Sequence, residues 1–407
     1  MKDKNYFKPI SISLSPNVQK DDVVLALKLL MQPWNWTRHK SAPGSAIASL
    51  EQEFAKYLGV KYAVSFNSGR SSMYAILKAL DLPQGSDVML QAFTCNAVPN
   101  PVLWADLNPV YIDVANDFNC LTPGVKQPLL IVQHTFGLPN EKALNGQVIE
   151  DCSHALGAEI NGKKVGTFGK AGFFSFSRDK VISCVYGGMA VTNDDELGRK
   201  LQQLQKEFGM PGLVWIKQQM LHPILLHYII LPLYNIINLG KIFLVFSQWT
   251  HLLSKAVSWQ EKRGQRPDYF PKALPNALAA MALHQFRKLE TFNAHRKKIA
   301  EFYYQELTCT NFIVPRKDNN IFLRFAVQHP KAHEILYEAW HQQNMLLGDW
   351  YRSPIDPFDT KLEEMKYIPG SCPNAERLAK VTLNLPTHIN ISMEDARRIV
   401  NFLKKFT

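Results

Sequence analysis

Between Ala46 and Asp194 the chain alternates short apolar runs with amphipathic stretches, and this alternation most limits what it can fold into. "AIASLEQEFAKYLG" carries apolar residues at helical spacing and closes on a glycine. "KYAVSF" then reads as a strand, "SSMYAILKALDL" as a helix and "DVMLQAF" as a strand. "NPVYIDV", "PLLIVQHTFG", "QVIEDCSHALGA", "AGFFSFS" and "GGMAVTND" follow, each apolar and bordered by polar residues or glycine. Strands of near-continuous apolar character are buried on both faces, so the pattern predicts a mostly parallel sheet covered by helices. The fold class is α/β.

Residues 276–407 read differently. The helical segments "NALAAMALHQFRKLETFNAHRKKIAEFYYQEL" and "SMEDARRIVNFLKKF" bracket the short strands "NIFLRFAV" and "VTLNLP". A smaller α+β domain is expected there. The chain thus divides into an N-terminal segment (1–45), a large domain (46–208), an insert (209–265), and a closing small domain with its connecting helix (266–407).

The insert is the oddest stretch. From Gly209 to Gln260 it holds no Asp or Glu and only three lysines, Lys217, Lys241 and Lys255. The uncharged run Gln218 to Gly240 is long enough to span a bilayer. Pro223, Pro232, His222, His227, Asn235 and Asn238 argue against a straight spanning helix. The expectation is a kinked amphipathic hairpin in the membrane interface, with Trp215, Trp249 and Trp259 near its ends. A pair of helices buried at a subunit interface is the alternative. The following "EKRGQR" adds basic residues that suit anionic headgroups.

Composition sets outer bounds. With 46% hydrophobic and 20% charged residues the chain is no disordered segment, and a formal charge of +11 invites anionic partners. The six cysteines are scattered without a CxxC pair, which indicates reduced intracellular thiols rather than disulfides or zinc. "MKDKNYFKPISISLSP" has no apolar leader core, so a cytoplasmic main body is expected. There is no P-loop and no recognisable nucleic-acid module.

Three pieces carry candidate chemistry. Asp151 ends an apolar strand, where open α/β sheets place ligand groups, and a buried carboxylate there needs a cationic partner. Lys180 follows a later strand and can reach the same cleft. A salt bridge would explain the two. A pyridoxal phosphate site explains them more sharply, with lysine holding the cofactor and aspartate pairing its protonated ring nitrogen. Ser68-Gly69-Arg70-Ser71, between a strand and a helix, offers an anion cradle of backbone amides, with Ser175 a further candidate phosphate ligand.

Taken in order, "NSGRSSMYAILKAL", "DVMLQAFTCNAVPNPVLWADLNPVYIDV", "VQHTFGLP", "VIEDCSHALGAEINGKKVGTFGKAGFFSFSRDK" and "GGMAVTND" resemble the DegT-type sugar aminotransferases. These are pyridoxal phosphate enzymes of the aspartate aminotransferase fold (fold type I) that aminate keto groups on nucleotide-linked sugars. The resemblance covers residues 40–205 well and 276–407 more loosely, and omits the insert. It implies that Lys180 holds the cofactor, that Asp151 pairs the pyridine nitrogen, and that His154 stands where the family has glutamine beside the phenolic oxygen. Ser68, Gly69, Arg70 and Ser175 match phosphate-binding positions. Some relatives carry histidine in place of the lysine and are dehydratases; this chain keeps the transaminase residue.

The sequence departs from the family pattern at Arg70, where a small or hydroxyl residue is usual. It departs again at Cys95, which aligns with the ring-stacking aromatic, with Phe93 close by as a substitute. Asn276 falls loosely where a neighbouring subunit offers asparagine to the phosphate. His134 and Arg352 are candidate substrate contacts, with a core hydrogen bond and a surface ion pair as their plainer explanations. The resemblance implies an amino donor such as glutamate, a keto-sugar acceptor on a nucleotide or lipid carrier, and a homodimer. With the insert, residues 209–260, meeting the membrane surface, the enzyme would work at the inner membrane face in glycan or surface-polysaccharide assembly. A membrane-docked scaffold on a decayed version of the fold, or an elimination reaction, are the rival readings.

Overall fold

The computed structural model describes residues 8–121, 129–141, 144 and 147–407. Residues 1–7 of the stretch read for a leader lie outside that set. Helices α1 (Lys20–Leu30) and α2 (Ala46–Leu58) precede the sheet, and α2 ends where Gly59 takes φ 73°, a left-handed turn natural to glycine.

The main sheet has seven strands: β1 (Tyr62–Phe66), β2 (Asp87–Gln91), β3 (Asn108–Ile112), β4 (Leu130–Gln133), β5 (Val148–Asp151), β6 (Ala171–Ser175) and β7 (Gly188–Thr192). Their order across the sheet is β1-β7-β6-β5-β4-β2-β3. Strand β7 runs antiparallel to both neighbours; every other pairing is parallel. Since β7 reverses twice, β1 points the same way as β5 and β6. Their carboxyl ends, Phe66, Asp151 and Ser175, therefore meet at one edge, where an open α/β sheet leaves a crevice. The apolar runs read as buried strands are buried: all five residues of β7 and all four of β4 and β5.

Helix α3 (Gly69–Ala79) starts at that edge. Its N-cap Ser68 is extended, and its hydroxyl accepts the Ser71 N–H at 3.0 Å, ordering the first turn.

The insert is not one uniform arm. Helix α4 (Leu213–Leu225) continues as a π-helical turn, Leu226–Ile230, and packs on α1; Ile216, Met220 and Ile230 are fully buried. Helix α5 (Leu239–Trp249) lies over that turn, and Gly240 lets it approach: a Cβ there would stand 2.2 Å from the Ile230 carbonyl oxygen. Its other side is open, with Leu239, Ile242, Val245, Phe246 and Trp249 exposed. Among the described residues no helix is long and apolar enough to cross a membrane.

Helices α6 (Asn276–Phe286) and α7 (Leu289–Leu307) lead to the small domain. There β8 (Phe325–Gln328) pairs antiparallel with β9 (Thr382–Leu385), around a core of Phe325, Leu383, Ile335 and Ile399.

Candidate active site

A cavity opens at the shared edge of β1, β5 and β6. Its wall includes Ser68, Gly69, Asp151, His154, Ser175 and Lys180, so six residues singled out from the sequence meet in one place. The cause is topological: each is the last residue of β5 or β6, or follows β1, β5 or β6 within five residues. Gly69 has to be glycine, because a Cβ would lie 2.9 Å from Cβ of Ser175. That near contact brings the first amides of α3, which have no intrahelical acceptor, against the serine of β6.

Burial pushes the Asp151 carboxyl above its ordinary pKa, and the Ser153 N–H donated to Oδ1 at 2.9 Å only partly offsets this. Burial also lowers the Lys180 ammonium to about 8. Its Nζ stands 4.9 Å from the centre of the Trp350 ring. His154 stacks on Trp350 at 5.3 Å and 13°. Burial, with Lys180 and Arg324 nearby, holds His154 neutral, and its Nδ1 accepts the Phe136 N–H at 3.3 Å.

Of the remaining candidates, Cys95 and Arg70 also reach this cavity and the others do not. Cys95 lines the cavity, its thiol pushed up to about 11 by burial. Phe93 does not line it: a left-handed backbone (φ 59°) turns its ring into the core, stacked on Phe118 at 5.4 Å. His134 is fully buried and donates Nε2–H to Glu150 at 3.2 Å, while Nδ1 accepts the Asn140 N–H at 3.0 Å. Burial would raise the pKa of Glu150, yet His134 and the Gly166 and Gly169 amides hold it low. His134 is thus part of a core network. Asn276 holds the start of α2 through the Ala46 N–H at 2.7 Å. Arg352 lies in a neighbouring cavity behind Trp350, 3.8 Å from Asp349 and with Cζ 5.1 Å from the Phe358 ring centre.

Arg70 is at the cavity wall but is committed elsewhere. Its guanidinium pairs with the fully buried Glu261 and lies 4.5 Å from the centre of the Phe270 ring. Burial would lower its pKa; the Glu261 charge more than reverses this. Sequence reasoning missed Trp350, Tyr351, Arg178, Tyr186 and Glu261. The dipeptide Trp350-Tyr351 beside the Arg352 that was noticed is the nearest thing to a signal.

Comparison with known proteins decides the family. Residues 34–127, 141–222 and 259–404 match the DegT/DnrJ/EryC1/StrS aminotransferase family. The chain belongs to that family. The match stops at 222 and resumes at 259, leaving out the π-helical turn and α5. Over 381 residues this aminotransferase is 27% identical to UDP-N-acetyl-3-dehydro-alpha-D-glucosamine 3-aminotransferase of Acidithiobacillus ferrooxidans, covering 89% of each chain. Helicobacter pylori PseC, described as an aminotransferase involved in the biosynthesis of pseudoaminic acid, shares its fold at TM-score 0.73 and 21% identity, over 98% of this chain and 99% of that one. NtdA of Bacillus subtilis, solved with bound cofactor PMP, does so at TM-score 0.71 and 18% identity, over 100% of this chain and 86% of that one. The fold-type I architecture read from the sequence is therefore the observed one.

Enzymes of this family depend on pyridoxal phosphate, and the residues of this aminotransferase fit it. Asp151 is a buried carboxylate with no cationic side chain in hydrogen-bonding reach among the described residues, the environment a protonated ring nitrogen would complete. The Gly69–Ser175 contact leaves a narrow cradle suited to a phosphate. Lys180 is a lysine whose burial favours the neutral, nucleophilic amine.

Proposed function

We propose that this aminotransferase moves an amino group from an amino acid, glutamate in the first instance, to the keto carbon of a nucleotide-linked sugar. The observation that carries the reading is the meeting of Lys180 and Asp151 in one cavity beside the Ser68-Gly69 turn. The name of the Acidithiobacillus relative, a UDP-sugar 3-aminotransferase, supports the acceptor class.

When bound, the cofactor would supply an electron sink for the carbon that loses a proton. Lys180 Nζ would hold the cofactor, and its free amine would take that proton and return one on the acceptor half of the cycle. With a pKa of about 8, the amine is neutral often enough at physiological pH to act as base. Asp151 would keep the ring nitrogen protonated, Ser68, Gly69 and Ser175 would hold the phosphate, and His154, stacked on Trp350, would contribute to the wall around the ring. The donor leaves as its 2-oxo acid and the sugar carbonyl becomes an amine, so the nitrogen balances. Retention of lysine favours transamination over elimination.

We place the enzyme as a dimer at the cytoplasmic face of the membrane, docked by α5. Support comes from the exposed Ile242, Val245, Phe246 and Trp249, from Lys217, Lys241 and Lys255, and from the absence of acidic residues between 209 and 260. Flotation with phosphatidylglycerol vesicles tests this: wild type should float and Phe246→Ser/Trp249→Ser should not. If both stay with the soluble fraction, and the variant alone loses a dimer, α5 is a subunit contact instead.

Incubation with UDP-, GDP- and dTDP-linked 3-keto and 4-keto sugars plus glutamate tests the reaction. Mass spectrometry should find an aminated sugar and one equivalent of 2-oxoglutarate, both absent with Lys180→Ala. Cofactor absorbance without any aminated product from the panel would sink the acceptor class.

A further inference from the structure

The tail of the insert forms part of the cofactor cavity. Ala256 and Val257 lie in its wall, and the segment 254–261 grips two arginines and a tyrosine of the large domain. Arg70 donates to the Ala256 carbonyl at 3.3 Å and pairs with Glu261. Tyr186 donates its hydroxyl to the Lys255 carbonyl. Arg178 donates from Nη2 to both the carbonyl and the hydroxyl oxygen of Ser254, each at 2.7 Å. The Ser254 hydroxyl in turn donates to Gln219 of α4 at 2.7 Å, which anchors the segment to the buried half of the insert.

The two arginines differ in one respect. Arg70 has its carboxylate. Among the described residues Arg178 has none within ion-pair range, and neither its Nε nor its Nη1 meets an acceptor. The adjacent Asp179 lines both this cavity and the neighbouring one and favours the charged guanidinium from a distance, but it makes no ion pair or hydrogen bond with it and has its own Oδ1 unsatisfied. A half-buried guanidinium held by neutral oxygens, with the Nε hydrogen and both Nη1 hydrogens unfilled, is half of an ion pair. The same wall carries Ser68, Gly69, Ser175 and Ser177, and Arg70 and Arg178 stand 5.7 and 5.5 Å from the same Tyr186 ring.

We propose that Arg178 is an anion receptor of this cavity, positioned by Ser254 of the insert, and that the anion it receives is the 5′-phosphate of pyridoxal phosphate. The inference rests on the cofactor reading above and adds to it a role for the insert: its tail shapes the phosphate corner. The proposal differs from the phosphate contacts expected by resemblance, since Arg70 is neutralised by Glu261 and Arg178 is not.

The test compares apoenzyme affinities for pyridoxal phosphate and for pyridoxal, which lacks the phosphate, read by calorimetry and by quenching of Trp350 fluorescence. Wild type should bind the phosphate form much more tightly. Arg178→Met should weaken pyridoxal phosphate by about 10- to 100-fold, the worth of a charge-assisted contact, and leave pyridoxal within about twofold. Arg178→Lys should recover part of the loss, and Ser254→Ala should weaken pyridoxal phosphate severalfold with the same indifference to pyridoxal. Should Arg178→Met fail to fold by circular dichroism, Ser254→Ala decides. Equal losses for both ligands, or no loss, overturn the proposal. So does an unchanged cofactor affinity with a raised KM for the nucleotide-linked substrate, which would make the substrate diphosphate the occupant. If wild type itself binds no pyridoxal phosphate, it is the cofactor reading that fails.

Discussion

The Arg70–Glu261 pair gives the sharpest quantitative expectation. Glu261 is fully buried and Arg70 is 7% exposed, so neither charge is solvated by water. Glu261→Gln keeps the shape and removes the charge. Breaking a buried pair by neutralising one partner costs about 3–5 kcal/mol, because the other charge stays buried. Here part of that returns: the amide oxygen still accepts one N–H, the Ala256 carbonyl remains, and the Phe270 face attracts the cation by about 1 kcal/mol. The expected loss is therefore about 2–4 kcal/mol. Arg70→Met should cost less, since Glu261 keeps the Ser258 N–H at 2.8 Å and its backbone carbonyl keeps Asn100 at 2.9 Å. The double variant should fall well short of the sum, by about 2 kcal/mol, as residues in direct contact do. Urea unfolding at pH 7 of the two single variants and the double measures all three terms. A loss under about 1 kcal/mol for Glu261→Gln, with additive singles, would refute the buried-pair argument. It would also return Arg70 to the phosphate.

Three further outcomes can be checked. Capture of pyridoxal phosphate by the apoenzyme should speed up with pH around a midpoint near 8, because Lys180 must be neutral; a midpoint close to that of free lysine would contradict the burial argument. The lowered pKa also means that charged, buried Lys180 weakens folding fully below pH 8, and that stability recovers as pH rises from there towards the unfolded value. Burial lifts Asp356 to about 7, so folding binds a proton that the unfolded chain has released, and stability should fall as pH rises from about 4 to 7. Asp356→Asn should flatten the pH dependence of the urea midpoint in that window by one proton's worth of slope; an unchanged slope rules the assignment out. Gly69→Ala should lose about 1–3 kcal/mol, since the new Cβ meets Ser175 at 2.9 Å on a strand that cannot yield, and should weaken cofactor binding with it. Unaltered stability and affinity would show that the α3–β6 approach is not tight.

What was legible in the sequence was what repeats or what sits at a strand's end. The seven strands announce themselves as apolar runs, and Asp151 and Ser175 fall at the carboxyl ends of β5 and β6 because the runs stop there. With parallel strands, residues far apart in sequence then share an edge, which is why Ser68, Asp151 and Lys180 were found together. Phe93 shows the limit of that logic. It follows β2 as Asp151 ends β5, yet its left-handed backbone sends the ring into the core and leaves Cys95, two residues on, at the cavity. Nothing in a side chain's identity announces such a turn. Trp350 lies in the closing domain, and no periodicity ties it to Lys180; only the folded chain places its ring beside that amine.

The insert marks the other limit. Hydropathy treats Ile216 and Ile242 alike, but the first is buried beneath α1 and the second is 60% exposed. The insert read as one interfacial hairpin is therefore not uniform. Its first half completes the core, and its end, from Ser254 to Glu261, grips Arg178, Tyr186 and Arg70 at the cofactor cavity. Between them α5 offers an exposed apolar face. Because Gln219 of α4 holds Ser254, and Ser254 holds Arg178, the segment that carries α5 is tied at both ends to the site. Whatever covers α5 would stiffen a loop whose far end shapes the cofactor corner. Cofactor affinity should accordingly rise when α5 is covered, and reciprocity requires that cofactor tighten that covering by the same factor. Measuring pyridoxal phosphate affinity with and without phosphatidylglycerol vesicles reads that coupling directly, and equal affinities would show the two ends of the insert to be independent.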